Sequence, residues 1–448
     1  MTTGEPGHGF PYPGAAMAPV LPPGPRMPRV LQTAIWFRRA QWMMGECVKR
    51  YGETFTLTIA HEGTWVMLSN PDDVKAVFTG DPELLHAGEA NRILLPILGE
   101  HSLLLLDGAE HMAQRKLILP PFHGARMQSY RALMVDIARA EIGSWPAGTP
   151  FRVRPRMQAL TLEIILRAVF GLDDGPRLTD LRVQLRRMLD HLTDPRWTAF
   201  LIALGPERIQ RFGPFVREMQ RVDRLIYAVI ATRRASRDTA DRGDILSMLL
   251  AAEYEDGSGM SDRQLRDELL TLLVAGHETT ATALSWAVER LARHPDKLER
   301  LAAETGAGED RYLKAVVCET LRLRPVISLV NRTLKAPMRL GGYDLPAGVK
   351  VVPSIYLVHR RPDVYPDPER FLPERFLDKA PGTYTWIPFG GGVRRCIGGA
   401  FAQFEMDVVL RELAARSAID PARPNAERVY RRAITETPRH DAEVILSR

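Results

Sequence analysis

The stretch from Ile387 to Gly399 constrains this chain more than any other. It reads Ile-Pro-Phe-Gly-Gly-Gly-Val-Arg-Arg-Cys-Ile-Gly-Gly, and an apolar-patterned run follows: Ala400, Phe401, Phe404, Met406, Val408, Val409, Leu410 and Leu413. That spacing predicts a buried helix, so Cys396 sits at a loop-to-helix junction. Unpaired amides and the positive end of the helix dipole favour a thiolate there. Gly390, Gly391 and Gly392 let the backbone turn tightly and approach a partner closely. Arg394 adds positive charge just before the sulfur. The loop reads as a carrier for one exposed, ionised thiolate beside a flat or bulky partner. Three uses compete. A phosphate cradle would end in Gly-Lys-Ser/Thr, which is absent. A nucleophile would want a base, and no histidine lies in the local run. A metal-ligating thiolate needs neither.

Phe389, Gly392, Arg394, Cys396 and Gly398 resemble, position for position, the haem-binding signature of the cytochrome P-450 family. The resemblance implies that Cys396 is the axial thiolate of a haem iron. It places Phe389, Gly390, Arg394 and Gly398 around that cofactor.

The chain has 448 residues, 45% hydrophobic and 25% charged, ordinary for a soluble globular protein. Its length suggests two domains or one large domain around a cofactor. The net charge of +6 and pI near 9.3 are mildly basic. No Lys/Arg block with interleaved aromatics occurs, which argues against nucleic acid and for a basic face toward an acidic protein. Three cysteines without paired spacing argue against disulfides and a zinc ribbon, and fit a reducing, cytoplasmic compartment.

Residues 1–28 are Pro/Gly-rich and read as a tail, not a packed element; residues 29–448 read as one domain. Pro19 breaks the apolar run near residue 20 and no basic region precedes it, so neither a signal peptide nor a membrane anchor is expected. Trp36 to Tyr51 reads as a helix. Thr54–Ile59 and Thr64–Leu68 read as a hairpin, and Asn70-Pro71-Asp72 opens another helix. Leu84 to Glu100 reads as a long, partly irregular loop, and 194–206 as a mobile lid or an ordinary helix connection. Ser261 to Gln264 is a capping box opening a long helix that Pro295 ends. Met338 to Pro353 reads as short strands and turns.

Further motifs have a local reading of their own. His111 and Arg115 share a helix face, as a solvated face also would. Ala275 and Thr279 share another, Gly276 leaves room beside the backbone for a ligand, and Glu278 places an acid next to an alcohol in an apolar helix, which is costly unless satisfied or used. Glu319 and Arg322 sit three apart, the spacing of a helix ion pair. The family resemblance assigns each a part. His111, Arg115, Arg332 and Arg394 meet the haem carboxylates. Ala275 to Thr279 is the oxygen-activation motif, with Glu278 and Thr279 relaying protons. Glu319, Arg322 and Arg375 form a buried network beneath the cysteine loop.

The fold so implied is mainly α, with a small β region near the N-terminus and haem between the Ala275 helix and the Cys396 loop. The style is that of soluble bacterial members, particularly actinobacterial ones. The activity implied is a haem b monooxygenase that inserts one atom of O₂ into a lipophilic small molecule. No flavin or nicotinamide domain is evident, so electrons are expected from a separate ferredoxin or flavodoxin with an NAD(P)H-dependent reductase. A monomer is expected. Val326–Val330, the 84–100 loop, 194–206 and Ile434-Thr435 are the candidate substrate lining. A peroxygenase or isomerase on the same fold, and a non-catalytic haem protein, are the rival readings.

Overall fold

The computed structural model describes residues 21–172, 175–194, 200, 203–236, 242–416 and 418–447. In chain order its main elements begin with α1 (Arg29–Tyr51), β1 (Thr54–Ile59), β2 (Gly63–Leu68), α2 (Pro71–Thr79), β3 (Leu85–His86), α3 (Ala87–Ala90) and α4 (Gly108–Ile118). There follow α5 (Arg131–Gly143), β4 (Pro150–Arg152), α6 (Val153–Phe170), α7 (Pro176–Thr193), α8 (Gly213–Ala235) and α9 (Asp262–Ala292). The last part holds α10 (Pro295–Gly306), α11 (Arg311–Leu323), β5 (Arg332–Leu334), β6 (Met338–Leu340), β7 (Tyr343–Leu345) and β8 (Lys350–Pro353). It closes with α12 (Gly399–Ala414), β9 (Ala418–Pro421), β10 (Val429–Arg432), β11 (Thr435–Pro438) and β12 (Glu443–Ser447).

Helix α9 is the axis of the molecule. Ser261 caps it reciprocally with Gln264, and His294 precedes the proline that starts α10. Most of its residues are buried on every side, as expected of a helix enclosed by others. Helices α6, α8, α11 and α12 pack against it, and their apolar faces share one continuous core.

The β region lies to one side. A five-stranded sheet runs β1-β2-β8-β5-β3. β1 and β2 pair antiparallel, whereas β2 and β8 pair parallel with Trp65 opposite Lys350. Helix α1 covers this sheet through Trp36, Met43, Met44 and Cys47. Trp36 meets Trp65 edge to face at 5.3 Å. Helix α2 begins as its sequence suggests: Asn70 accepts from the Asp72 amide, and Pro71 occupies the first turn where no amide partner is needed.

One expectation is amended. The Pro-rich lead-in is packed at its end: Pro22 is buried, the Thr56 amide donates to Pro23 O at 3.0 Å, and the Thr56 hydroxyl donates to Pro22 O at 2.7 Å. Residues 1–20 lie outside the described set. The Leu84–Glu100 stretch is partly irregular, as expected, and contains β3, α3 and further short helical turns. The lid expected at 194–206 falls largely outside the described residues.

Candidate functional site

The cysteine loop is shaped by its own backbone. The Cys396 amide donates to Phe389 O at 2.9 Å, closing a turn over a short 3-10 segment, Gly392–Arg394. Gly390 and Gly392 adopt φ of 66° and 64°, which disfavours any side chain. What the glycines approach is Phe78, at the end of α2. A Cβ on Gly392 would lie 1.8 Å from Phe78 O, and one on Gly391 would lie 2.1 Å from the Phe78 ring. That close approach belongs to Gly391 and Gly392; Gly390 instead lies nearest Val330, whose Cγ1 would be 3.6 Å from a Cβ there. The Phe389 ring packs on Gly399, where a Cβ would lie 3.2 Å away, and edge to face on Trp386 at 6.1 Å.

Cys396 is solvent-accessible, while Cys47 is buried and Cys318 half-buried. Burial pushes the Cys47 thiol up to about 11 and the Cys318 thiol up to about 12. The accessible Cys396 sulfur lies in a recess, so surrounding protein still raises its pKa. The Gly398 amide, Arg115 and Arg395 oppose that rise. A coordinated metal cation would deprotonate this thiol outright. Among the described residues, no three His, Cys, Asp or Glu groups converge as a metal site. A metal held by Cys396 would therefore need ligands from a cofactor.

Positive groups crowd above this thiol. Helix α4 presents His111 and Arg115, the start of β5 presents Arg332, and the loop presents Arg394. His111 is buried, and its Nδ1 has no hydrogen-bond partner. Burial, then Arg394, Arg115 and Arg332, hold its pKa down to about 3. Arg332 is buried and donates only to its neighbour's carbonyl, Asn331 O, at 2.7 Å. Burial and then Arg394 lower its pKa to about 10, with Asp107 opposing. Arg394 is likewise lowered to about 10 by burial, with Asp107 raising it and Arg115 lowering it. Among the described residues, only Asp107 offers these four groups a carboxylate, at 2.6 Å from Arg394 Nη2. Such an excess of cations, with an orphaned buried imidazole, calls for an anionic partner with more than one carboxylate. The donor set fits a haem and its two propionates.

The middle of α9 carries the other half. Ala275 is exposed and Thr279 half-buried in a helix otherwise enclosed, so that face borders internal space. The Thr279 hydroxyl donates to Ala275 O at 2.5 Å. Gly276 does not open onto that space: its missing Cβ would lie 2.8 Å from Ile165 Cδ1 on α6. The glycine serves helix packing, and the room for a ligand expected beside it is filled. Glu278 is buried and turned toward α6. Arg154 Nη2 donates to its Oε1 at 2.6 Å, and Gln158 Nε2 donates to its Oε2 at 2.7 Å. The acid and the alcohol are therefore not in contact with each other.

A strap formed by residues 101–107 ties this helix to the cysteine loop. The Leu103 amide donates to Glu268 Oε1 at 2.7 Å, and the Thr271 hydroxyl donates to Ser102 Oγ at 2.7 Å. Burial raises the Glu268 carboxyl to about 8, with hydrogen bonds from Gln114 and Leu103 opposing. At its other end the strap holds Arg394 through Leu103 O, Leu106 O and Asp107.

Beneath the loop, Arg322 Nε donates to Glu319 Oε2 at 2.7 Å and Nη2 donates to Oε1 at 2.8 Å, both side chains being fully buried. Arg375 reaches the same carboxylate at 3.3 Å. Arg322 also donates to His359 O and Pro368 O, each at 2.8 Å. The Ile387 amide donates to His359 Nε2 at 2.8 Å, which links this network to the first residue of the cysteine loop. Sequence reasoning missed His359, Asp107 and Arg154. Asp107 stood in a helix-start pattern; the other two carried no local signal.

The cytochrome P-450 family model matches residues 22–416. A Mycobacterium tuberculosis protein described as cytochrome P-450 135B1 is 44% identical over 432 residues, covering 95% of this chain and 91% of its own length. One described as cytochrome P-450 138, from the same organism, is 38% identical over 434 residues and covers 96% of each chain. A solved cyanobacterial cytochrome P-450 with retinoic acid bound shares the fold at a TM-score of 0.83 and 24% identity, covering 96% of this chain and 99% of that one. The chain belongs to the cytochrome P-450 family, the haem-thiolate monooxygenases whose cofactor is haem b.

Proposed function

We propose that this protein oxygenates a lipophilic small molecule, acting as a cytoplasmic monomer with electrons from a separate ferredoxin or flavodoxin and its NAD(P)H-dependent reductase. The observation that carries the reading is an accessible thiol in a recess near His111, Arg115, Arg332 and Arg394, groups of which Arg394 alone is paired with a carboxylate among the described residues. When bound, the haem supplies oxygen activation, placing one atom of O₂ in the substrate and releasing the other as water. Cys396 would ligate its iron, with the Gly398 amide hydrogen-bonded to the sulfur, and a thiolate there favours O–O cleavage. His111, Arg115, Arg332 and Arg394 would bind its carboxylates, with Phe389, Gly390 and Gly398 shaping the loop around the sulfur.

Thr279 and Ala275 would border the oxygen side, where the Thr279 hydroxyl orders water and hands on protons. Glu278 would feed that water. To do so it must turn from Arg154, and Asp441 Oδ1, at 3.5 Å from Arg154 Nη1, remains to keep the arginine's charge compensated. Glu319, Arg322 and Arg375 would hold the loop from below.

The apolar character of the expected lining residues, Val326 and Ile434 among them, supports a lipophilic substrate. The β10–β11 hairpin, with Ile434 at its turn, is fastened to Val326 O by the Glu436 amide at 2.8 Å, which brings two of the expected lining segments together. No described helix is long and apolar enough to cross a membrane. Optical titration of the haem-loaded protein with a library of fatty acids, steroids, terpenes and polyketides tests the substrate class. Compounds that shift the spectrum are expected to yield oxidised product with generic ferredoxin and reductase. Product formed with peroxide but never with NAD(P)H and redox partners would favour a peroxygenase; no spectral shift across the library would remove the lipophile reading.

A further inference from the structure

We propose that Asp107 is a positioning residue, holding Arg394 so that the rest of its guanidinium meets a haem carboxylate. The proposal rests on the haem reading of Cys396 and deepens it. Asp107 stands at the N-cap of α4 with extended backbone angles, where an aspartate ordinarily accepts from the first amides of its own helix. It makes no such bond. Its Oδ1 accepts from Gly88 N at 2.8 Å and from Arg394 Nη2 at 2.6 Å, and its Oδ2 accepts from Glu89 N at 2.8 Å. His86 Nδ1 stands 3.7 Å from Oδ2. One carboxylate thus gathers the start of α3, the start of α4 and the cysteine loop.

Arg394 gives its Nη2 to Asp107 and Leu106 O, and its Nη1 reaches Leu103 O at 3.4 Å. No protein acceptor takes its Nε among the described residues, and that edge remains for a ligand. The same strap carries both acceptor carbonyls and Asp107, and α4 continues from it to His111 and Arg115. Asp107 therefore fixes one cationic donor relative to two others.

Two effects of removing the Asp107 charge have opposite signs. The site becomes more positive, which by itself holds a dianionic cofactor more tightly. Arg394 also loses its strongest restraint, which lets the cofactor go. The rate of haem transfer from the purified haem-loaded protein to excess apomyoglobin separates them. Asp107→Asn, close in shape to the native residue, is expected to release haem roughly tenfold faster, the lower end of what one charge-assisted hydrogen bond contributes. In an Arg394→Gln background the same change is expected to bring no acceleration, only the slower release that a more positive site gives, because no guanidinium is left to aim. Asp107→Glu, which keeps the charge within reach of Arg394, is expected to stay near the wild-type rate. Release from Asp107→Asn that is unchanged or slower overturns the proposal, as does equal acceleration in both backgrounds, the mark of general loosening. Should Arg394→Gln load too little haem to measure, release from Asp107→Glu as fast as from Asp107→Asn overturns it instead. Failure of the haem reading itself is visible beforehand, as wild-type protein without a thiolate-ligated haem spectrum.

Discussion

Thr279 donates its hydroxyl to a carbonyl of its own helix, four residues back, on the face that borders internal space. Such a back-bond slightly loosens a helix, and Ala is the better helix former. Thr279→Ala is therefore expected to fold and load haem as the wild type does. What it loses is a hydroxyl oxygen that accepts from water on the oxygen side, its own proton being given to Ala275 O. NAD(P)H consumption is expected to fall little, while product per NAD(P)H falls several-fold or more, within the ~10²–10⁴ that positioned proton transfer contributes. The missing electrons are expected in hydrogen peroxide. Measuring NAD(P)H, product and peroxide together with one accepted substrate checks this, and unchanged coupling would remove Thr279 from the proton path. Glu278 differs from Thr279 in kind. Its carboxylate is buried and held by Arg154 and Gln158 on α6. The sequence marked the acid as costly in an apolar helix, but its partners lie more than a hundred residues away and no local pattern names them.

At the scale of elements, the site depends on how loops and helices grip one another. The pair Glu319 and Arg322 was legible, because residues three apart on α11 share a face. That Arg375 joins the same carboxylate came from the family resemblance; spacing alone did not place it. The link from Arg322 through His359 to Ile387 was not legible, since hydrogen bonds between distant loops leave no periodic trace. Glu319 and Arg322 are both fully buried. Removing either strands the other, at about 3–5 kcal/mol for a broken buried pair, a large share of a typical net stability. Glu319→Ala is therefore expected to fail in haem incorporation, beyond any loss of turnover. Haem content per protein and melting temperature check it, and a soluble, fully haem-loaded Glu319→Ala protein melting like the wild type would show the network to be peripheral. The triple glycine teaches the complementary point. A tight approach was readable from Gly390 to Gly392; its object, Phe78 on α2, was not.

For the whole molecule, local pattern placed the pieces that obey one period or one cap. The β1–β2 hairpin and α9 with its Ser261–Gln264 capping box follow the expected spans closely, and α1 ends where expected but begins earlier, at Arg29 instead of Trp36. Pairings between distant segments were not readable, such as the parallel register of β2 with β8, because strand partners are chosen by tertiary packing. The short turns within Leu84–Glu100 escaped for a similar reason: each is too short to show a period and is held by contacts with β5 and with Asp107. The molecule that results brings Cys396 and a cluster of cations to one recess, and everything proposed for it depends on that cysteine being the iron ligand. The most direct measurement is the absorption spectrum of reduced, haem-loaded protein under carbon monoxide. The wild type is expected to absorb at ~450 nm, the thiolate signature. Cys396→Ala is expected to lose that band, and Cys47→Ala and Cys318→Ala to keep it. Well-folded, haem-loaded wild type absorbing only at ~420 nm, as with a neutral thiol or histidine ligand, would contradict the account.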